Sequence, residues 1–346
     1  MKRYFRNIVF TLTPLKSAYR FKDYFQIYPI NLENSPQNKS ARHFPCLIEY
    51  WVDDDEVKPV DALNSPVVNK MISKTTAQTN RVLEITNFLS SVTNYRFFIY
   101  RSPDQLWALP NPEEVTEEMN EWSSQWSVGL YYYPNMAKDL KISEFSSPEC
   151  TTVKLLPKSY YYFYDPVEGH DKVIDFPDIL DDTFEAYLSL SGKEKTVCDS
   201  AIYQLCNGLD LYPRMRSLSF LSVISGIETL VNYEFRNEKV VYECNDCKSL
   251  KSSSRTCKKC GSPIWGITAK FREFLFKYVS DKPEARKMYN KIYNVRSKIA
   301  HTEYLISGEN YLNWNFDDKT EELGKQHLQA IQLCRRSISS WLINKE

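Results

Sequence analysis

Arg296 and His301 stand five positions apart in the run Arg296-Ser297-Lys298-Ile299-Ala300-His301, at the close of an amphipathic segment. A planar guanidinium grips a phosphate and its developing negative charge, and an imidazole gains and loses a proton near neutral pH. Together they suit cleavage of a phosphodiester without a catalytic metal, where the substrate supplies its own nucleophile as the 2′-hydroxyl of RNA does. Tyr293 lies one turn before Arg296, within reach of a base or a phosphate, and Lys298 adds a cation between the pair. Residues five apart on an ideal helix differ by about 140° in azimuth, so the two converge within one chain only if the helix ends near Ala300. The competing reading needs no chemistry: Arg296 neutralises Glu228, and His301 sits favourably at the helix C-terminus.

A second motif is Cys244-x-x-Cys247, nine residues, then Cys257-x-x-Cys260. Each pair can form a knuckle whose backbone amides point at the sulfurs, and two knuckles complete a tetrahedral thiolate shell suited to Zn²⁺. Gly261 follows the second pair, where a knuckle often needs positive φ. A closed shell leaves no position for water, so the zinc is structural and no catalytic metal is expected. The spacer KSLKSSSRT has no core of its own, and metal binding would supply its stability. The rival is four free thiols in a loop. Cys46, Cys150, Cys198, Cys206 and Cys334 read as core residues, and no histidine is identifiable as partner to a cysteine nucleophile. Nine cysteines are too sparse for a disulfide scaffold, which points to the cytoplasm.

The elements that must position these residues are helices. Helical spacing covers Lys193–Leu209, Arg214–Tyr233 with Pro213 at its first turn, Ile267–Val279, Pro283–Ala300 and Thr320–Asn344. Leu221, Ile224, Ile227 and Val231 form a core stripe with Glu228 beside it, and Met288, Ile292, Val295 and Ile299 form another, edged by Tyr289, Tyr293 and Arg296. His327 shares the last helix's stripe with Leu323, Ala330, Cys334 and Trp341, which favours a core histidine over a catalyst. The front of the chain reads as strands at 94–100, 128–134, 152–157 and 159–166, interrupted by one helix from about Thr76 to Thr93. Its tyrosine clusters are either a base-stacking platform or, as is more usual, the faces of a half-buried sheet. The acidic run Asp53–Glu56 and the acids between Asp104 and Glu121 read as exposed loops or helix faces. The fold class expected is α+β: a β-rich domain over 1–180, then a helical domain over 181–346 with a zinc-ribbon insert at 240–265.

A chain of 346 residues is long enough for two cores. Its formal net charge is zero, yet residues 241–300 hold fourteen Lys or Arg against five acids, so this segment is +9 and the remainder −9. Four thiolates with one Zn²⁺ would lower the local figure by about two. Such a segment attracts an anionic polymer or is a solvated surface, and an acidic front domain could cover it electrostatically. Nine glycines and no GKS or GKT signature exclude a phosphate-loop NTPase and a Rossmann dehydrogenase. No run is long enough to span a bilayer, and the opening MKRYFRNIVFTLTPL lacks a cleavage site, so neither membrane nor secretory signal is expected.

In order along the chain, LSFLSVISGIETL (218–230), the four-cysteine insert, ITAKFREFL (267–275) and RSKIAH (296–301) resemble the HEPN superfamily, and more narrowly the ApeA-like HEPN proteins of bacterial phage defence. The resemblance covers about the last 160 residues. It implies a helical bundle that forms a homodimer and brings two Arg–His motifs into one cleft. It also implies a metal-independent endoribonuclease acting on structured RNA such as tRNA in abortive infection, released by a phage-derived or nucleotide trigger. In that scheme Arg296 holds the scissile phosphate, His301 transfers protons, and Glu228 supports Arg296. Ser297 occupies the variable polar position after the arginine, where Asn, Asp or His is commoner; serine donates a hydrogen bond but does not titrate usefully. Some HEPN domains cut nothing, which leaves a nucleic-acid or nucleotide-binding module, or a zinc-ribbon scaffold, as the alternative.

Overall fold

The computed structural model describes residues 1–30, 43–59, 65–99, 141–163, 168–169, 171–237, 241–243, 247–252, 266–301, 305–306 and 318–344. The chain divides into two units, Met1–Tyr161 with Val167–Asp178, and Tyr162–Pro166 with Ile179–Glu346. A β-sheet region thus precedes a helical one, and the fold is α+β.

The sheet unit is organised by two ten-residue strands, β1 (Lys2–Thr11) and, after β2 (Tyr19–Phe21) and β3 (Phe25–Pro29), β4 (Phe44–Asp53). β1 and β4 pair antiparallel from Lys2↔Asp53 to Thr11↔Phe44. Neither is among the strands expected above. The order is β2-β3-β4-β1, and β5 (Phe97–Phe98) and β6 (Lys141–Ile142) both pair with β1. Helix α1 (Pro66–Val92) buries Val82, Ile85, Phe88, Leu89 and Val92 and packs against β1, β4 and β5. It starts ten residues before the expected Thr76, because Pro66 opens its first turn and supplies a preset φ.

Of the other expected strands, 94–100 contributes only β5, 152–157 only β7 (Leu155–Leu156), and 128–134 lies outside the described residues, as do the acids from Asp104 to Glu121. The described part of the run at 159–166, residues 159–163, is not a strand. Lys158–Tyr161 is a helical turn, α2, with its Lys158 N–H bonded to Asp178 Oδ1, and β7 pairs instead with β8 (Phe176–Pro177). The aromatic run misleads because Tyr161 is a peg: buried, it receives the Asn94 N–H at 2.8 Å and donates to the Asp175 carbonyl at 3.1 Å. Tyr162 is buried as well, so the described tyrosines of this run lean towards core. The acidic run is a 3-10 turn, Asp54–Glu56, capped by Asp53, and three of its four carboxylates are taken up: Asp53 by the N-terminus, Asp54 by Arg3 and Glu56 by Arg81.

The helical unit contains α3 (Leu180–Ser189), α4 (Gly192–Leu211), α5 (Arg216–Glu234), the strands β9 (Val241–Glu243) and β10 (Leu250–Ser252), then α6 (Ile267–Tyr278), α7 (Pro283–His301) and α8 (Asp318–Ile343). Pro213 is not in the first turn of α5; it lies in the α4–α5 connection, and Met215 caps the helix. α5 is central, packed by α4, α6, α7 and α8. Two glycines let α4 and α5 approach. A Cβ on Gly208 would sit 2.5 Å from Val223 Cγ2, and one on Gly226 would sit 3.0 Å from the Ala201 carbonyl. α8 carries His327 into the core between the rings of Tyr212 and Phe220. Ser219 Oγ donates to the Gly208 carbonyl at 2.6 Å, so it must accept from His327 Nε2 at 2.9 Å. That fixes the tautomer and leaves buried Nδ1 an acceptor with no donor among the described residues. Among the described residues no helix is long and apolar enough to cross a membrane.

Candidate functional site

Three residues from two helices meet where α5 crosses α7. Glu228 projects from α5 beside the buried stripe of Ile224, Ile227 and Val231. Its Oε1 accepts from the Tyr293 hydroxyl at 3.0 Å, and its Oε2 accepts from Arg296 Nη2 at 3.1 Å. The arginine's side chain is 26% exposed and the glutamate's 12%, so the pair lies at the rim of the core. The Tyr293 ring packs 5.0 Å from Phe271 on α6. Burial, and then the neighbouring Glu228 carboxylate, push the Tyr293 phenol up to about 12, so it stays a neutral donor. Of the guanidinium's five N–H donors, Glu228 takes one among the described residues.

The buried face of α7 differs from the expected one. Tyr289, Ile292, Tyr293 and Val295 are buried, whereas Met288 and Ile299 are only half-buried. The tyrosines expected at the edge are its centre, because each phenol tip finds an acceptor: Tyr289 donates to the Ser280 carbonyl at 3.0 Å, and Tyr293 to Glu228. The rotation brings Arg296 inward to Glu228.

Helix geometry, not the rotation, separates the pair. α7 is helical through His301, the last residue of its described part, so His301 itself keeps helical geometry. On a continuous helix the two side chains leave about 140° apart. His301 is exposed, Ser297 is half-buried, and no hydrogen bond or ion pair among the described residues joins His301 to Arg296. Arg296 groups with Glu228 and Tyr293. His301 groups with the solvent side of the helix, where Lys287, Lys291, Asn294 and Lys298 precede it, each of them exposed. Only Lys298 of those four is singled out by the sequence reasoning, although the alternating steps of four and three residues were open to inspection.

Of the zinc ligands, Cys244, Cys257 and Cys260 lie outside the described residues. Among the described residues no three His, Cys, Asp or Glu gather as a metal site. What is described fits a thiolate knuckle. β9 and β10 pair antiparallel with Glu243 opposite Leu250, and the segment they bracket holds Cys244 and Cys247. Cys247 is half-buried, with its Sγ 3.2 Å from Ser249 Oγ. Lys248 directly after it has φ +55°, the left-handed turn that the first knuckle would need.

The chain matches no family model, no curated relative and no solved structure.

Proposed function

We propose that the helical unit is a HEPN-like, metal-independent endoribonuclease that acts as a homodimer, with Arg296 of one copy meeting His301 of a second. The reading is carried by the Glu228 clamp, which holds an arginine at a rim rather than burying it. The azimuthal split of Arg296 and His301 along α7 favours a site shared between two copies.

The chemistry balances on side chains alone. The RNA 2′-oxygen attacks the adjacent phosphorus, and His301 takes the hydroxyl proton. The bond to the 5′-oxygen breaks, the departing oxygen receives the proton that His301 accepted, relayed through water, and a 2′,3′-cyclic phosphate and a 5′-hydroxyl remain. Arg296 stabilises the extra negative charge on the phosphoryl oxygens, an interaction stronger in the transition state than in the ground state. Glu228 positions Arg296, and Ser297 offers one donor. The four cysteines Cys244, Cys247, Cys257 and Cys260 would hold a structural Zn²⁺ that supplies stability to the insert and takes no part in catalysis.

The test is cleavage of bulk tRNA by the purified full chain in EDTA, beside His301→Ala. Cleavage to cyclic phosphate ends that disappears in the variant is the expected result. Equal cleavage by both proteins would remove His301 from the mechanism. The same split of the pair favours a second reading, an RNA-binding module that cuts nothing, which tight tRNA binding without any cleavage would select.

A further inference from the structure

We infer that the solvent face of α7 is a track for the RNA phosphodiester backbone, formed by Lys287, Lys291, Asn294 and Lys298 and ending at His301. The inference rests on the reading that the helical unit acts on RNA, and it names the surface that would hold that substrate. These five residues follow one another at steps of four, three, four and three, which keeps them on one side of a helix, and all are exposed. From Lys287 to His301 the stripe runs about 21 Å, long enough to meet several phosphates of one strand.

Two observations set this face apart from an ordinary solvated one. Glu284 opens the same stripe in the first turn, where an acid suits the helix dipole, and no acid follows it on the helix. Solvated helix faces usually mix signs, as α8 does with its Glu321–Lys325 pair and α4 with Lys195–Asp199. Lys287 and Lys291 stand four apart with like charge, an arrangement that works against the helix and makes sense if a polyanion neutralises it. Lys291 also meets Glu322 of α8, an exposed ion pair that a phosphate can displace. Asn294 between the lysines can donate to a phosphate or a base edge without adding charge.

The experiment measures binding apart from cleavage, using a short labelled single-stranded RNA blocked at every 2′-oxygen by methylation. Affinity to the full chain is followed by fluorescence anisotropy from about 50 to about 200 mM salt, the range over which phosphate contacts show themselves. The variant is K287Q/K291Q/K298Q, whose three side chains are exposed; the control is K58Q/K70Q/K74Q, exposed lysines of the sheet unit. The log–log salt slope should fall by about 2 in the α7 variant, at roughly 0.7 for each lost phosphate contact. Wild-type protein should therefore lose about twentyfold more affinity across that range than the variant does. The control should behave as wild type. An unchanged slope in the α7 variant, an equal loss in the control, or no binding by wild type overturns the track. Cleavage that depends on His301 together with an unchanged slope would sink the track and leave the chemistry standing. A reduced slope without cleavage would support the track alone.

Discussion

Two carboxylates, one in each unit, are treated in opposite ways. Glu49 on β4 is fully buried and saturated: Arg6 and Tyr28 donate to Oε1 at 2.8 and 2.7 Å, Gln26 and the Ser146 N–H donate to Oε2 at 2.5 and 2.8 Å, and the Ser146 hydroxyl adds another bond. The register makes this possible, since Arg6, Glu49 and Gln26 face one another across three strands. Glu228 has two donors, and its arginine is a quarter exposed. A saturated carboxylate can only hold a sheet and the segment at Ser146 together. An unsaturated one at a rim aims a cation and leaves it capacity for a ligand.

The largest effect expected from breaking this contrast is at Glu49. Glu49→Ala removes an acceptor from Arg6, Gln26, Tyr28 and Ser146, and removal of one partner from a buried ion pair costs about 3–5 kcal/mol. Denaturant unfolding of the sheet unit, read by its tyrosine and tryptophan signals, should register that loss. Glu228→Gln keeps a hydrogen-bond acceptor at the rim, so it should cost no more than about 1 kcal/mol by the same measurement. It should nonetheless lower RNA cleavage at least tenfold, because one neutral amide oxygen shared with Tyr293 aims Arg296 less firmly than the carboxylate does. A loss of stability at Glu228 as large as at Glu49, without an effect on RNA, would make the two clusters equivalent and Arg296 structural.

Acid sharpens the comparison further. Burial, with a smaller contribution from the Arg216 charge, pushes His327 in the helical core down to about 3. Its unfolded form binds a proton below about pH 6.5, so the helical unit should lose stability as pH falls through that value, by about 2 kcal/mol at pH 5. Burial alone would raise the Glu49 carboxyl, but its bonds from Ser146, Tyr28 and Arg6 outweigh that and hold it below the ordinary range. The sheet unit's contribution from Glu49 is therefore present above the ordinary carboxylate range and lost only below it. Melting curves between pH 7 and 4 should show the helical transition moving first. His327→Gln, which keeps a bond to Ser219 without titrating, should abolish that shift; a shift that persists would place the acid lability elsewhere.

How much of this was legible in the sequence differs by region for a physical reason. Helices advertise themselves through local spacing, and those at 192–211, 216–234, 267–278, 283–301 and 318–343 fall within a few residues of expectation. The Glu228–Arg296 bond could be named because a lone carboxylate beside an apolar stripe needs a partner. The rotation of α7 could not, since it depends on Ser280 and Glu228 receiving two phenols from elsewhere in the fold. β1 and β4 escaped because buried strands with Arg6 and Glu49 on an inner face break the alternation that marks a strand. That pair becomes intelligible only once the cross-strand register sets one opposite the other.

The most direct test of the central claim, that Arg296 and His301 act across two copies, is a mixing experiment. Arg296→Ala and His301→Ala proteins, each inert alone in EDTA, are combined, allowed to exchange subunits, and assayed for RNA cleavage. Half of the dimers would then be mixed, each with one intact site of two, so roughly a quarter of wild-type activity should return. A mixture as inactive as its components would contradict a shared site.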